Sequence, residues 1–101
     1  MFKVDAHVHT AESSACGKTP AEAMVRLYAD AGYDAIAVTD HYCESFFARC
    51  PGLDWAAQAD RLLRGYRVAA EAGLGAGLEV LLGVELTPAG QRNDYLIYGL
   101  T

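Results

Sequence analysis

The chain has 101 residues, 52% of them hydrophobic and 21% charged, with a net charge of −5. That length holds one small domain, and the composition is that of a globular protein, not a disordered or low-complexity one. The acidic balance excludes a general nucleic-acid-binding face, which needs a basic surface, and no apolar stretch reaches the length of a bilayer span.

Residues 2–9 alternate with the period of a strand: Phe2, Val4, Ala6 and Val8 point one way, Lys3, Asp5, His7 and His9 the other. Residues 10–18 read as a loop. Thr19-Pro20-Ala21-Glu22 is a helix start, with Thr19 as cap, Pro20 at the first helical position and Glu22 closing a capping box. Met24, Leu27, Tyr28 and Ala31 recur at helical spacing as the buried stripe, and Gly32 ends the helix. Residues 35–39 form an apolar strand of the kind buried on both faces of a parallel sheet. A loop with Phe46, Phe47 and Pro51 follows. Asp54 caps a second helix over residues 55–72, with Leu62, Tyr66, Ala69 and Gly73 on one side. Residues 79–86 and 95–100 are two further strands.

The order β-α-β-α-β-β predicts a single α/β domain with right-handed crossovers and parallel strands. The last connection is too short for a helical crossover. The fourth strand therefore returns antiparallel, through Pro88-Ala89-Gly90.

Cys16, Cys43 and Cys50 are odd in number and contain no CxxC pair. The first residues lack the basic and apolar regions of a signal peptide, so reduced thiols and a cytoplasmic location are expected. Arg61, Arg64 and Arg67 share a spacing of three and read as a solvated helix face.

All three histidines fall at predicted strand ends. His7 and His9 project from one face with Cα atoms about 6–7 Å apart, close enough for both imidazoles to reach one ion. Alone, the pair also reads as two surface histidines on an edge strand. Asp40-His41 ends the second strand, where the competing reading is a turn residue and a solvated histidine. Glu85 follows Leu81-Leu82-Gly83-Val84, and a carboxylate in such a run is costly unless paired or metal-bound; otherwise the strand has ended and Glu85 is exposed. Parallel strands place these ends on one rim. Imidazole and carboxylate suit zinc, manganese or iron.

Asp5-Ala6-His7-Val8-His9-Thr10, the stretch from Gly32 to His41 ending in Thr39-Asp40-His41, and Gly83-Val84-Glu85 together resemble the first three motifs of the PHP (polymerase and histidinol phosphatase) family. The resemblance covers nearly the whole chain. It implies the N-terminal part of a distorted seven-stranded β/α barrel with two or three divalent metal ions at its rim. It further implies hydrolysis of a phosphate ester by metal-bound hydroxide, on a small phosphorylated molecule or nucleotide. Carried over by position, His7, His9 and Glu85 correspond to ligands of a first ion, with the glutamate bridging, and His41 to a ligand of a second. Asp5 and Asp40 correspond to supporting positions behind the ligands. Cys16 stands where many members carry Asp or His as a second-metal ligand, and a thiolate there would favour zinc; the alternative is a small buried thiol.

Family members continue for at least as long again, with further histidines and a final Asp-x-His. Residues 1–101 are therefore expected to form a partial domain that binds one ion well, hydrolyses esters slowly if at all, and self-associates through open strand edges. The competing functions are a non-catalytic metal-binding or structural module and a metal hydrolase of the amidohydrolase type. The early spacing of the second and third motifs fits the latter less well.

Overall fold

The computed structural model describes residues 1–88, 90 and 92–99. In chain order the elements are β1 (Val4–Val8), α1 (Ala21–Asp30), β2 (Ala35–Val38), β3 (His41–Tyr42), α2 (Glu44–Ala48), α3 (Trp55–Ala76), β4 (Glu79–Leu86) and β5 (Tyr95–Tyr98). The strands make one sheet. β1 pairs parallel with β2, β2 and β3 pair parallel with β4, and β5 pairs antiparallel with β4. This is the predicted mixed α/β arrangement with a parallel sheet and an antiparallel return. Of the predicted turn and fourth strand, Ala89 and Leu100 lie outside the described residues.

The core lies between the sheet and the two longer helices. Val8, Ile36 and Val38 from the strands meet Ala21 and Val25 of α1, Ala69 of α3 and Leu78. Val25, Ile36 and Val38 are almost fully enclosed, each contributing roughly 1.5–3 kcal/mol by leaving water. β2 is buried along its whole length, as its unbroken apolar run required.

Several local expectations are corrected. The alternation of the first strand is interrupted by a bulge between Asp5 and Val8, where three steps along β1 match two along β2. In α1 the buried face is Ala21 and Val25, flanked by Met24 and Tyr28, while Leu27 is 63% exposed and Ala31 is also exposed. The stripe is rotated because small Ala21 and Val25 fit against the neighbouring helix and sheet. Thr19 does not cap α1 and Pro20 precedes its first turn. The Ala21 N–H instead donates to the Glu12 carboxylate, at 2.9 and 3.1 Å to its two oxygens. The cap thus comes from the preceding loop, and a negative charge there complements the helix dipole.

The segment with Phe46 and Phe47 contains the short helix α2, whose buried Phe46 packs edge-on against Tyr42. α3 runs past Gly73 to Ala76 and ends at Gly77 in the left-handed conformation. At Gly73 a Cβ would lie 2.5 Å from the Leu78 carbonyl oxygen, so glycine lets β4 begin against the helix. Asp54 caps α3 as expected, accepting from Ala57 N–H at 2.9 Å. Arg61 departs from the solvated face. It donates to the Arg49 carbonyl at 2.8 Å and ties α2 to α3, whereas Arg67 pairs with Asp60 at the surface.

Among the described residues no helix is long and apolar enough to cross a membrane.

Candidate metal centre

The parallel strands bring His7 and His9 at the end of β1, His41 in β3 and Glu85 in β4 to one rim. His41 is paired directly with Glu85 in the sheet register. Glu85 is buried, 4% exposed, in a strand whose neighbours are apolar. Its Oε1 lies 2.5 Å from Nε2 of His7 and 2.9 Å from Nε2 of His9, and those two nitrogens are 3.2 Å apart. Its Oε2 lies 3.5 Å from Nδ1 of His41. The expected convergence of His7, His9, His41 and Glu85 is therefore present as geometry, and the bulge in β1 does not separate the two imidazoles.

Cys16 joins from the loop after β1. Its Sγ lies 3.2 Å from Nδ1 of His9, the ring nitrogen opposite the one facing Glu85. Cys16 is exposed, so it is not the small buried thiol of the alternative reading, and none of the three cysteines is in a disulfide. Two groups of ligand-type atoms result, His7-His9-Glu85 and His9-Cys16-His41, each with all atoms within 4.8 Å of one another.

The donor set fits a divalent cation. Tetrahedral ligands about 2.0–2.1 Å from zinc stand roughly 3.3 Å apart. The edges of the first group are 2.5, 2.9 and 3.2 Å, so an ion fits between these atoms with less than about an ångström of opening. A buried carboxylate whose contacts are imidazole nitrogens is also the kind of group that a cation compensates.

Behind these side chains lies a polar network that periodicity could not reveal. Asp40, 2% exposed, accepts from Thr10 N–H at 2.6 Å, Thr10 Oγ1 at 2.8 Å and Ser14 Oγ at 2.7 Å. Burial pushes its carboxyl above the usual range, and the bonds from Thr10 and Ser14, with the nearby His9, oppose that shift. Ser14 Oγ also accepts from the His41 N–H at 3.0 Å. Ser13 Oγ accepts from the Gly65 N–H at 2.9 Å and donates to the Arg61 carbonyl at 3.0 Å. Those two backbone groups would otherwise bond each other within α3, so the loop hydroxyl is inserted into the helix ladder. Gly65 makes the approach possible, because a Cβ there would run into the Thr10 side chain. The expected support by Asp5 takes another form. Asp5 accepts from the His7 backbone N–H at 3.1 Å and from the Tyr28 hydroxyl at 2.6 Å. That hydroxyl's pKa is raised to about 12, by burial first and by Asp5 second.

The comparisons with known proteins agree with this geometry. No curated protein matches the chain. Among solved structures it is similar to a candidate metal-dependent phosphoesterase from Bifidobacterium adolescentis, with 25% identity and a TM-score of 0.60. That match covers 94% of this chain and 26% of the other, so this chain spans about a quarter of that protein's length. The family model of the PHP domain matches residues 5–98, from Asp5 before the first histidine pair to the end of β5. A match of that extent, over strands that bring His7, His9, His41 and Glu85 to one rim, makes this chain a member of the PHP domain family.

Proposed function

We propose that the chain carries a metal centre for hydrolysing a phosphate ester, with a small phosphorylated molecule or nucleotide as substrate. The observation that carries this reading is the meeting of His7, His9 and Glu85 around one carboxylate oxygen. Membership of the PHP family and the similarity to a candidate metal-dependent phosphoesterase support it.

In this reading His7, His9 and Glu85 would hold one ion. His41 and Cys16, which group with His9, would hold a second, with the other oxygen of Glu85 offered toward His41. Divalent ions in such a site polarise the phosphate and generate the water-derived nucleophile near neutral pH. The chain's own groups do the rest. Glu85 presents both its oxygens from a rigid central strand. Cys16 Sγ stands 3.2 Å from Nδ1 of His9, where a proton held on that nitrogen would leave Nε2 facing the ligand group. Asp40 and Ser14 fix the backbone at His41 through bonds that never reach the ions. The mixture of nitrogen, oxygen and sulfur donors favours zinc over manganese at the sulfur-bearing position.

The test is turnover of p-nitrophenyl phosphate by the purified chain, stripped with a chelator and reloaded with zinc or manganese. The reading requires metal-dependent hydrolysis, slow in a chain that spans about a quarter of its solved relative, that is lost in His9→Ala. A chain that binds zinc at these residues yet hydrolyses no phosphate ester would reject it in favour of a metal-binding module.

A further inference from the structure

The side of the centre formed by Cys16 and His41 opens into a cavity of about 560 Å3. Its lining also includes Cys43, Glu44, Thr87 and Arg92. His7, His9 and Glu85 do not line it. Any molecule placing a phosphate at the centre from this side must lay the remainder of its structure in this space. The volume lies within the range of about 300–1,000 Å3 usual for small-molecule sites.

Among the described residues Arg92 is the one fixed positive charge in that lining. Arg26 pairs with Glu22, Arg67 with Asp60 and Arg61 with a backbone carbonyl, while Arg49 and Arg64, which enter no ion pair among the described residues, do not line the cavity. Arg92 enters no ion pair among the described residues. Its nearest acid along the chain, Asp94, instead accepts from Thr87 Oγ1 at 2.6 Å. That bond ties the two arms of the β4–β5 connection together, so Arg92 is carried on a closed base. Glu44 lines the same cavity and offers an acceptor to a hydroxyl or ammonium donor of the substrate.

We propose that Arg92 receives a second anionic group of the substrate. The substrate is then a small phosphate ester whose leaving group itself carries a carboxylate or a second phosphate. The inference rests on the phosphoesterase reading above and narrows its substrate class. Guanidinium recognises either oxyanion through two parallel N–H donors, which a lysine in its place could not do.

Binding of non-hydrolysable phosphonates to the zinc-loaded chain, followed by calorimetry, tests the proposal. Butylphosphonate carries one anionic end. 3-Phosphonopropanoate adds a carboxylate, and propane-1,3-diphosphonate adds a second phosphonate. One or both of the doubly anionic probes should bind about ten-fold tighter than butylphosphonate, as expected for one charge-assisted pair in a partly open site. Which of the two gains more identifies the second group. In Arg92→Ala that ratio should fall to about one, and Arg92→Lys should restore only part of it. Equal binding of all three probes to the unaltered chain overturns the proposal and leaves the phosphoesterase reading standing. So does a preference that survives Arg92→Ala. Failure of all three to bind a zinc-loaded chain overturns both. A loss of zinc binding in Arg92→Ala, read in a parallel zinc titration, also overturns the proposal, because Arg92 would then be part of the centre's framework.

Discussion

Oε1 of Glu85 stands 2.5 Å from Nε2 of His7, although 78 residues separate them in the chain. Such a contact between a buried carboxylate and an imidazole is held either by a shared proton or by a cation between them. Zinc at about one hundred times its dissociation constant would add about 2.7 kcal/mol to folding. In a domain of this size that raises the melting temperature by roughly 10–20 °C. Thermal melts with zinc and with a chelator measure the shift. In Glu85→Gln it should shrink to a few degrees, and a shift equal to that of the unaltered chain would count against Glu85 as a ligand.

The sulfur of Cys16 gives the second position an optical signature. A cobalt-loaded chain should show a sulfur-to-cobalt charge-transfer band, and Cys16→Ser should abolish it while retaining cobalt at the His7-His9-Glu85 position. A chain that binds cobalt without the band would confine Cys16 to its contact with Nδ1 of His9.

Two glycines of the same helix should respond to alanine in opposite directions. At Gly75 a Cβ meets nothing within 4 Å, so Gly75→Ala should stabilise by about 0.5–1 kcal/mol through helix propensity alone. At Gly65 the same gain is outweighed, because the Cβ would stand 2.6 Å from the Cβ of Thr10. Overpacking of that kind costs about 1–3 kcal/mol. Since Thr10 adjoins His9 and is bonded to Asp40, Gly65→Ala should also weaken zinc binding, and Gly75→Ala should not. Denaturant unfolding and zinc titration of both variants check this.

Stability should fall on the alkaline side through Tyr28. Its hydroxyl keeps its proton in the folded chain up to about pH 12, against 10.0 for the ordinary group. The unfolded chain therefore loses the proton first as pH rises. The contribution is complete below pH 10 and disappears between about 10 and 12. Tyr28→Phe should flatten that part of the stability curve, measured by urea unfolding at a series of alkaline pH values. It should also cost about 1 kcal/mol at neutral pH, the usual size of one hydrogen bond.

The strands and their polar ends were legible because period-two alternation and unbroken apolar runs report directly on which backbone is paired and buried. β4 spans the residues expected for it, and β5 is antiparallel because the connection before it is short. What escaped reading shares one physical character: it depends on partners far away in the chain. Glu12 caps a helix that begins nine residues later. Ser13 and Ser14 are 2% exposed in what reads as a polar loop, since hydroxyls can be buried once each donor and acceptor is matched. Leu27 reads as more hydrophobic than Ala21, yet Ala21 is the buried one, because space beside α3 and the sheet, not hydrophobicity, decides that position. The approach of Cys16 to His9 likewise depends on how the loop after β1 folds, which no spacing rule states.

β2 and β3 pair with β4 at one constant offset: Ala35 opposite Glu79 and His41 opposite Glu85 are both 44 residues apart. The two short strands thus follow a single track along β4, interrupted only at Thr39 and Asp40. The facing of His41 and Glu85 is in that sense set by backbone pairing along β4, not by the length of the segment between β3 and β4. A residue gained or lost between α2 and α3 would leave the rim undisturbed. A single residue gained or lost between Glu79 and Glu85, by contrast, would turn the carboxylate to the opposite face of the sheet.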